Sequence, residues 1–189
     1  MDQEVPLINS PITVPNLITM VRILATPLFV IFILSNSYGR AMAVFIIAGL
    51  SDMADGYIAR NFKQKSPLGA ILDPMADKLL ITASYLTLGY FEKIPAWLTV
   101  VVISRDVVIL GGIITLKLFE VDFRIDPAKI SKWATAAQIL TVFLAILREL
   151  APFPYWILLA SAWLTAYFTV ASGLVYLTRG VRLLNSSPK

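Results

Sequence analysis

The chain has 189 residues, 58% hydrophobic and 15% charged, with a mean hydropathy of +0.76; soluble domains carry about 25% charged residues, so this is the composition of a membrane protein. It contains no cysteine and no histidine, which excludes disulfides, thiolate sites, imidazole chemistry and His-ligated zinc and leaves only hard cations held by oxygen. The net charge of +4 and a pI near 9.4 read as the charge bias of membrane loops, and no nucleic-acid-binding signature accompanies them.

The N-terminal MDQEVPLINSPITVPN lacks the basic region and small-residue cleavage site of a signal peptide, so the first apolar segment is expected to stay in the mature protein. Residues 5–15, with Pro6, Pro11 and Pro15, read as a short interfacial segment. Six stretches then satisfy the requirement of about 20 apolar residues per crossing: 17–35, 41–60, 68–91, 95–116, 130–148 and 153–178. Pro15, Pro67, Pro95, Pro127 and Pro154 fall at or near the starts of five of them, where a first helical turn tolerates proline. Connections are short and no internal repeat occurs. The expectation is an all-α integral membrane protein, one domain over 1–189 with six transmembrane helices.

Six crossings put both termini on one side. That side receives Arg60, Lys63, Lys65, Lys117, Arg124, Lys129, Arg179, Arg182 and Lys189, and the other only Arg40, Lys93 and Arg148. The bias makes the first side cytoplasmic, in a multi-pass protein of the cell (inner) membrane.

Against this background four carboxylates stand out: Asp52 and Asp55 late in the second span, Asp73 and Asp77 early in the third. Spacings of three and four put each pair on one helix face, and a short connection brings both pairs just below the cytoplasmic surface. Gly56, Ala59 and Gly69 share those faces, and small residues let backbones or a ligand approach closely. Four packed carboxylates must be protonated, paired with bases or bridged by cations. Arg60 and Lys78 are near, but two bases cannot neutralise four acids. Two divalent cations, Mg²⁺ or Mn²⁺, can, especially with substrate phosphates completing the coordination. A cation- or proton-coupled transporter also buries acids, although six spans without repeat symmetry and acids away from the midplane fit it less well.

The pattern Asp52-x2-Asp55-Gly56-x2-Ala59-Arg60-x8-Gly69-x3-Asp73-x3-Asp77 resembles the signature of the CDP-alcohol phosphotransferase (phosphatidyltransferase) family at every defined position. The similarity extends through Pro15-Asn-Leu-Ile-Thr-Met-Val-Arg22, Ala76-Asp-Lys-Leu-Leu80, Ile103-Ser-Arg-Asp106 and the run 129–138, KISKWATAAQ. The resemblance implies transfer of a phosphatidyl group from CDP-diacylglycerol to an alcohol with release of CMP, by a homodimer in the lipid bilayer. It further implies that Asp52, Asp55 and Asp73 are metal ligands, that Asp77 is both ligand and general base, and that Asp52, Asp55, Gly56, Ala59, Arg60 and Gly69 bind the cytidine diphosphate.

Arg105, Lys129, Lys132 and Arg124 lie in the cytoplasmic halves of spans or the loop between them. Arginine suits bidentate phosphate recognition and lysine adds a point charge, so Arg105, Lys129 and Lys132 are candidates for binding a phosphate-bearing, glycerol-type acceptor. The alternative for each is a snorkelling or charge-biasing residue. Glycerol 3-phosphate, giving phosphatidylglycerophosphate, is the first expectation. Phosphatidylglycerol is the alternative: the phosphatidylglycerophosphate synthases of the family commonly carry Arg-Glu where this chain has Arg105-Asp106, and 103–106, with 130–132, Thr135-Ala136 and Gln138, resembles its eukaryotic-type cardiolipin synthases.

Overall fold

The computed structural model describes the backbone at 14–62, 67–118 and 129–186, and side chains there except at 14–19, 52–62, 67–77, 113, 116–118, 129, 181 and 183–186. Six helices run through these residues: α1 (Val14–Leu34), α2 (Tyr38–Phe62), α3 (Pro67–Tyr90), α4 (Ala96–Leu118), α5 (Lys129–Leu150) and α6 (Tyr155–Ser186). Each coincides with one apolar stretch of the sequence. Pro15 lies in the first turn of α1 and Pro67 opens α3, while Pro95 and Pro154 immediately precede α4 and α6. Pro127 and the segment 5–13 lie outside the described residues. The largest departure is α6, which continues past 178 to Ser186: no proline lies between Thr178 and Ser186, although apolar character gives way at Arg179.

Two helices are long and apolar enough to cross a membrane among the described residues, Ile130–Leu150 and Tyr155–Gly180. Shorter apolar stretches occupy Met20–Leu34 and Tyr38–Ser51.

The α1–α2 and α3–α4 turns solve one problem in one way. Asn36 takes φ 53°, Ser37 N donates to Phe32 O at 2.8 Å and Asn36 N to Ile33 O at 3.0 Å. Glu92 takes φ 57°, with Lys93 N donating to Leu88 O at 2.8 Å and Glu92 N to Gly89 O at 3.1 Å. Both are left-handed helix caps that satisfy terminal carbonyls with two crossed hydrogen bonds. Asparagine is a common occupant of such a position; glutamate is not.

The chain divides into two compact units, Met1–Thr87 and Leu88–Lys189. In the first, α1 packs on α2. Arg22, Phe29 and Ile33 are buried on one helix and Ala41, Met42, Phe45 and Ala48 on the other, and the Phe29 and Phe45 rings meet at 5.9 Å. In the second unit α6 packs on both α4 and α5. Its buried face is built from small residues: Ser161, Ala162, Thr165, Ala166, Thr169 and Ser172. Such residues bring backbones close and supply interhelical hydrogen bonds. Thr141 bonds Thr165 at 2.9 Å and Gln138 donates to Thr169 at 3.3 Å, tying α5 to α6 at two levels. Outward, Trp163 of α6 meets Trp97 of α4 at 4.8 Å. Close to the same end, where α4 and α6 begin and α5 finishes, Lys93 donates to Glu149 at 2.7 Å, and the Arg148 guanidinium lies 5.0 Å over the Tyr155 ring.

Candidate active site

Helix α2 carries Asp52, Asp55, Gly56, Ala59 and Arg60; helix α3 carries Gly69, Asp73 and Asp77. The side chains of all eight lie outside the described residues, so what the structure contributes is their place on helical backbone. Asp52 sits ten residues before the end of α2 and Asp77 ten residues after the start of α3; Asp55 and Asp73 are set back seven and six. At 1.5 Å per residue the two levels lie about 15 and about 10 Å from the helix ends. Residues 63–66 join those ends, and so short a link holds them within about 18 Å. Every donor in this set is a carboxylate oxygen, which matches the preference of Mg²⁺ and Mn²⁺ and not that of zinc or copper. Among the described residues no group of three or more acids could hold a metal; the four aspartates are not among them. Lys78 is exposed on α3.

The acceptor-binding candidates all belong to the second unit. Arg105 of α4 is 8% exposed, and its guanidinium is largely engaged. Nη1 donates to Asp106 Oδ1 at 2.7 Å, while Nη2 donates to Ser131 Oγ at 2.6 Å and Ser172 Oγ at 2.8 Å. One side chain thus pins α4 to α5 and α6 and is oriented by its sequence neighbour. Nε is buried and has no hydrogen-bond partner among the described residues. The α6 backbone comes close enough that a Cβ at Gly173 would stand 3.6 Å from Arg105 Cγ. Lys132, in the first turn of α5, is exposed. Lys129 opens the same helix, and its side chain lies outside the described residues, as does all of Arg124.

Sequence reasoning singled out Arg105 but missed the hydroxyls that hold it. Ser131 lies within the quoted run 129–138, yet nothing there marks it as a partner of α4. Ser172 lies 67 residues from Arg105. Its available signal is the spacing of hydroxyls along α6, Ser161, Thr165, Thr169 and Ser172, which steps by four, four and three along one face. Arg22 was likewise noted only as the end of a motif, and the structure buries it to 2%.

Residues 12–171 match the family model for CDP-alcohol phosphatidyltransferase. Among curated proteins, the cardiolipin synthase (CMP-forming) of Rattus norvegicus is 37% identical over 185 residues, covering 89% of this chain and 61% of that protein. The cardiolipin synthase (CMP-forming) of Homo sapiens is 36% identical over 187 residues, covering 90% and 62%. The chain thus spans about three fifths of these two relatives' length. The CDP-diacylglycerol–glycerol-3-phosphate 3-phosphatidyltransferase of Bacillus subtilis is 34% identical over 192 residues, covering 92% of this chain and 97% of that protein.

Proposed function

This chain belongs to the CDP-alcohol phosphatidyltransferase family, and from that premise we propose that it is a phospholipid-synthesising transferase moving a phosphatidyl group from CDP-diacylglycerol to a glycerol-type alcohol. The observation that carries the reading is the matched setback of the acids: Asp52 and Asp77 stand ten residues from helix ends joined by a four-residue link. Two carboxylate pairs at matched depth suit a diphosphate whose acyl chains stay in the bilayer.

In this reading Asp52, Asp55, Asp73 and Asp77 hold two divalent cations, Mg²⁺ or Mn²⁺, which when bound neutralise the diphosphate and the developing charge on the leaving group. Gly56, Ala59 and Gly69 keep the helix surface low where the cytidine diphosphate lies, with Arg60 beside it. Asp77 takes the proton from the acceptor hydroxyl. The freed oxygen forms a bond to the phosphorus bearing diacylglycerol, the bridging P–O bond breaks, and its electron pair leaves with CMP. Phosphoryl transfer asks a protein mainly for such positioning and charge control. Arg105, Lys129 and Lys132 bind the phosphate of the acceptor. The same reading has six helices crossing the bilayer, both termini and the site on the cytoplasmic side, and a homodimer.

The acceptor assigned is glycerol 3-phosphate, which the name of the full-length Bacillus subtilis relative carries. Phosphatidylglycerol is a second reading, favoured by Arg105-Asp106 in place of Arg-Glu and by the identity to the rat and human cardiolipin synthases. One experiment decides between them. Purified protein receives CDP-diacylglycerol and Mn²⁺ with glycerol 3-phosphate, phosphatidylglycerol, inositol phosphate or serine in turn, and lipid products are identified by mass. Phosphatidylglycerophosphate is expected; cardiolipin moves the assignment to the second acceptor. Absence of CMP with every acceptor, together with cation or proton flux in sealed vesicles, overturns the transferase reading in favour of a transporter.

A further inference from the structure

A guanidinium buried to 2% exposure on α1 calls for an anion close by. Helix register points to one. On α1 the positions turned inward are Arg22, half-buried Thr26, Phe29 and Ile33, stepping by four, three and four; on α2 they are Ala41 with its neighbour Met42, then Phe45 and Ala48, so that Ala41, Phe45 and Ala48 step by four and three. The next step of four along α2 lands on Asp52. The two helices are antiparallel across a three-residue turn, and the Phe29–Phe45 ring contact at 5.9 Å fixes their register. Ile33 therefore stands level with Ala41, Thr26 with Ala48, and Arg22 with Asp52. Arg22 precedes Phe29 by seven residues and Asp52 follows Phe45 by seven, so both lie two turns from the packed rings, about 10 Å along the axes, on nearly the same faces.

We propose that Arg22 is a positioning residue for Asp52, its guanidinium holding one carboxylate oxygen so that the other is aimed at the divalent cation. This rests on the reading of Asp52 as a metal ligand given above. An ionised carboxylate has lone pairs enough for both partners, and the planar guanidinium fork fixes orientation in a way that an ammonium cannot. Partners of this kind orient metal-binding carboxylates, and losing one typically weakens metal affinity by about 10- to 100-fold.

The test measures Mn²⁺ affinity by electron paramagnetic resonance on purified full-length protein without any substrate, with helicity and melting followed by circular dichroism. Asp52→Asn is expected to weaken Mn²⁺ binding, Arg22→Gln to weaken it by about 10- to 100-fold, and the double variant to bind no more weakly than Asp52→Asn alone. A folded Arg22→Gln protein with wild-type Mn²⁺ affinity overturns the proposal, as does a double variant whose loss is the product of the two single losses. A merely structural arginine moves the melting curve and leaves the affinity of the folded protein unchanged. Arg22→Lys keeps the charge and decides the matter if Arg22→Gln does not fold: a severalfold loss is expected, and wild-type affinity refutes the pairing. Asp52→Asn binding Mn²⁺ as the parent does is a different failure, that of the metal-ligand reading itself.

Discussion

A carboxylate set some ten residues inside an apolar helix is costly to ionise unless a cation or a proton acceptor role makes use of it. Of the four, Asp77 is the one assigned to proton transfer, and amidation keeps its size while removing its basicity. Asp77→Asn is expected to lower turnover by about 10²- to 10⁴-fold, the range for losing a general base, with CDP-diacylglycerol binding retained within a few-fold. Stopped assays for CMP and a separate donor-binding titration check this; near-normal turnover removes Asp77 from the base role. Arg105 presents a different case. Three of its contacts are internal, to Asp106, Ser131 and Ser172, so its truncation mixes acceptor recognition with packing of three helices. Ser172→Ala removes one of those contacts and leaves the guanidinium. A membrane-embedded interhelical hydrogen bond is worth about 0.6 kcal/mol on average, so a small loss of stability is expected. A rise in KM for the acceptor with kcat unchanged marks Arg105 as an acceptor ligand whose aim the serine sets. The residue type of Arg105 was legible in the sequence as an arginine inside an apolar stretch. Its partners were not, because hydroxyls are common in such helices and only the folded register brings Ser131 and Ser172 to the same guanidinium.

At the scale of elements, apolar length and proline punctuation located all six helices, because both signals are local. What was not legible depended on close approach between elements or on backbone conformation that composition does not announce. Glu92 adopts a left-handed φ although glutamate gives no hint of it. The reason lies in the tight return from α3 to α4, where Gly89 lies against Thr99: a Cβ on Gly89 would stand 2.5 Å from Thr99 Oγ1 and 3.4 Å from its Cβ. Two effects oppose each other in Gly89→Ala. Helix propensity favours alanine by up to about 1 kcal/mol, while overpacking typically costs about 1–3 kcal/mol. Thr99 is branched at Cβ, so its χ1 choices are restricted and one of the two other rotamers only swings a methyl into the hydroxyl's place; the Thr99 Cβ, at 3.4 Å, stays close in any rotamer. Net destabilisation is expected, seen as a lower melting temperature in detergent. Adding Thr99→Ala should recover more of the loss than additivity allows, since the two changes act on one contact; additive losses show that the close approach is not the cause.

For the whole molecule, the distribution of charge states an orientation that no single helix can. In the six-crossing arrangement proposed above, nine Lys/Arg residues would fall on the side of both termini and three on the other, an asymmetry that would retain the richer side in the cytoplasm. Two of the helices pass the length and composition test for crossing a membrane among the described residues, and six crossings follow only if the four others do so as well. The count has a parity consequence: with an even number of crossings the termini share a side, and the α1–α2 turn, one crossing from the N-terminus, lies opposite the C-terminus. The absence of cysteine makes that accessible to labelling without background. Ser35→Cys, in the exposed part of the turn, is expected to react with a membrane-impermeant maleimide in intact spheroplasts, and Lys189→Cys only after the membrane is opened. Metal dependence should follow the same sidedness. In sealed right-side-out vesicles loaded with CDP-diacylglycerol and acceptor, an external impermeant chelator leaves transfer running, whereas the same chelator after permeabilisation stops it, and Mn²⁺ or Mg²⁺ restores it. Labelling of both cysteines from one side removes the six-crossing topology. Inhibition by the external chelator in intact vesicles instead places the carboxylates on the outer side, against the charge argument from which their orientation was derived.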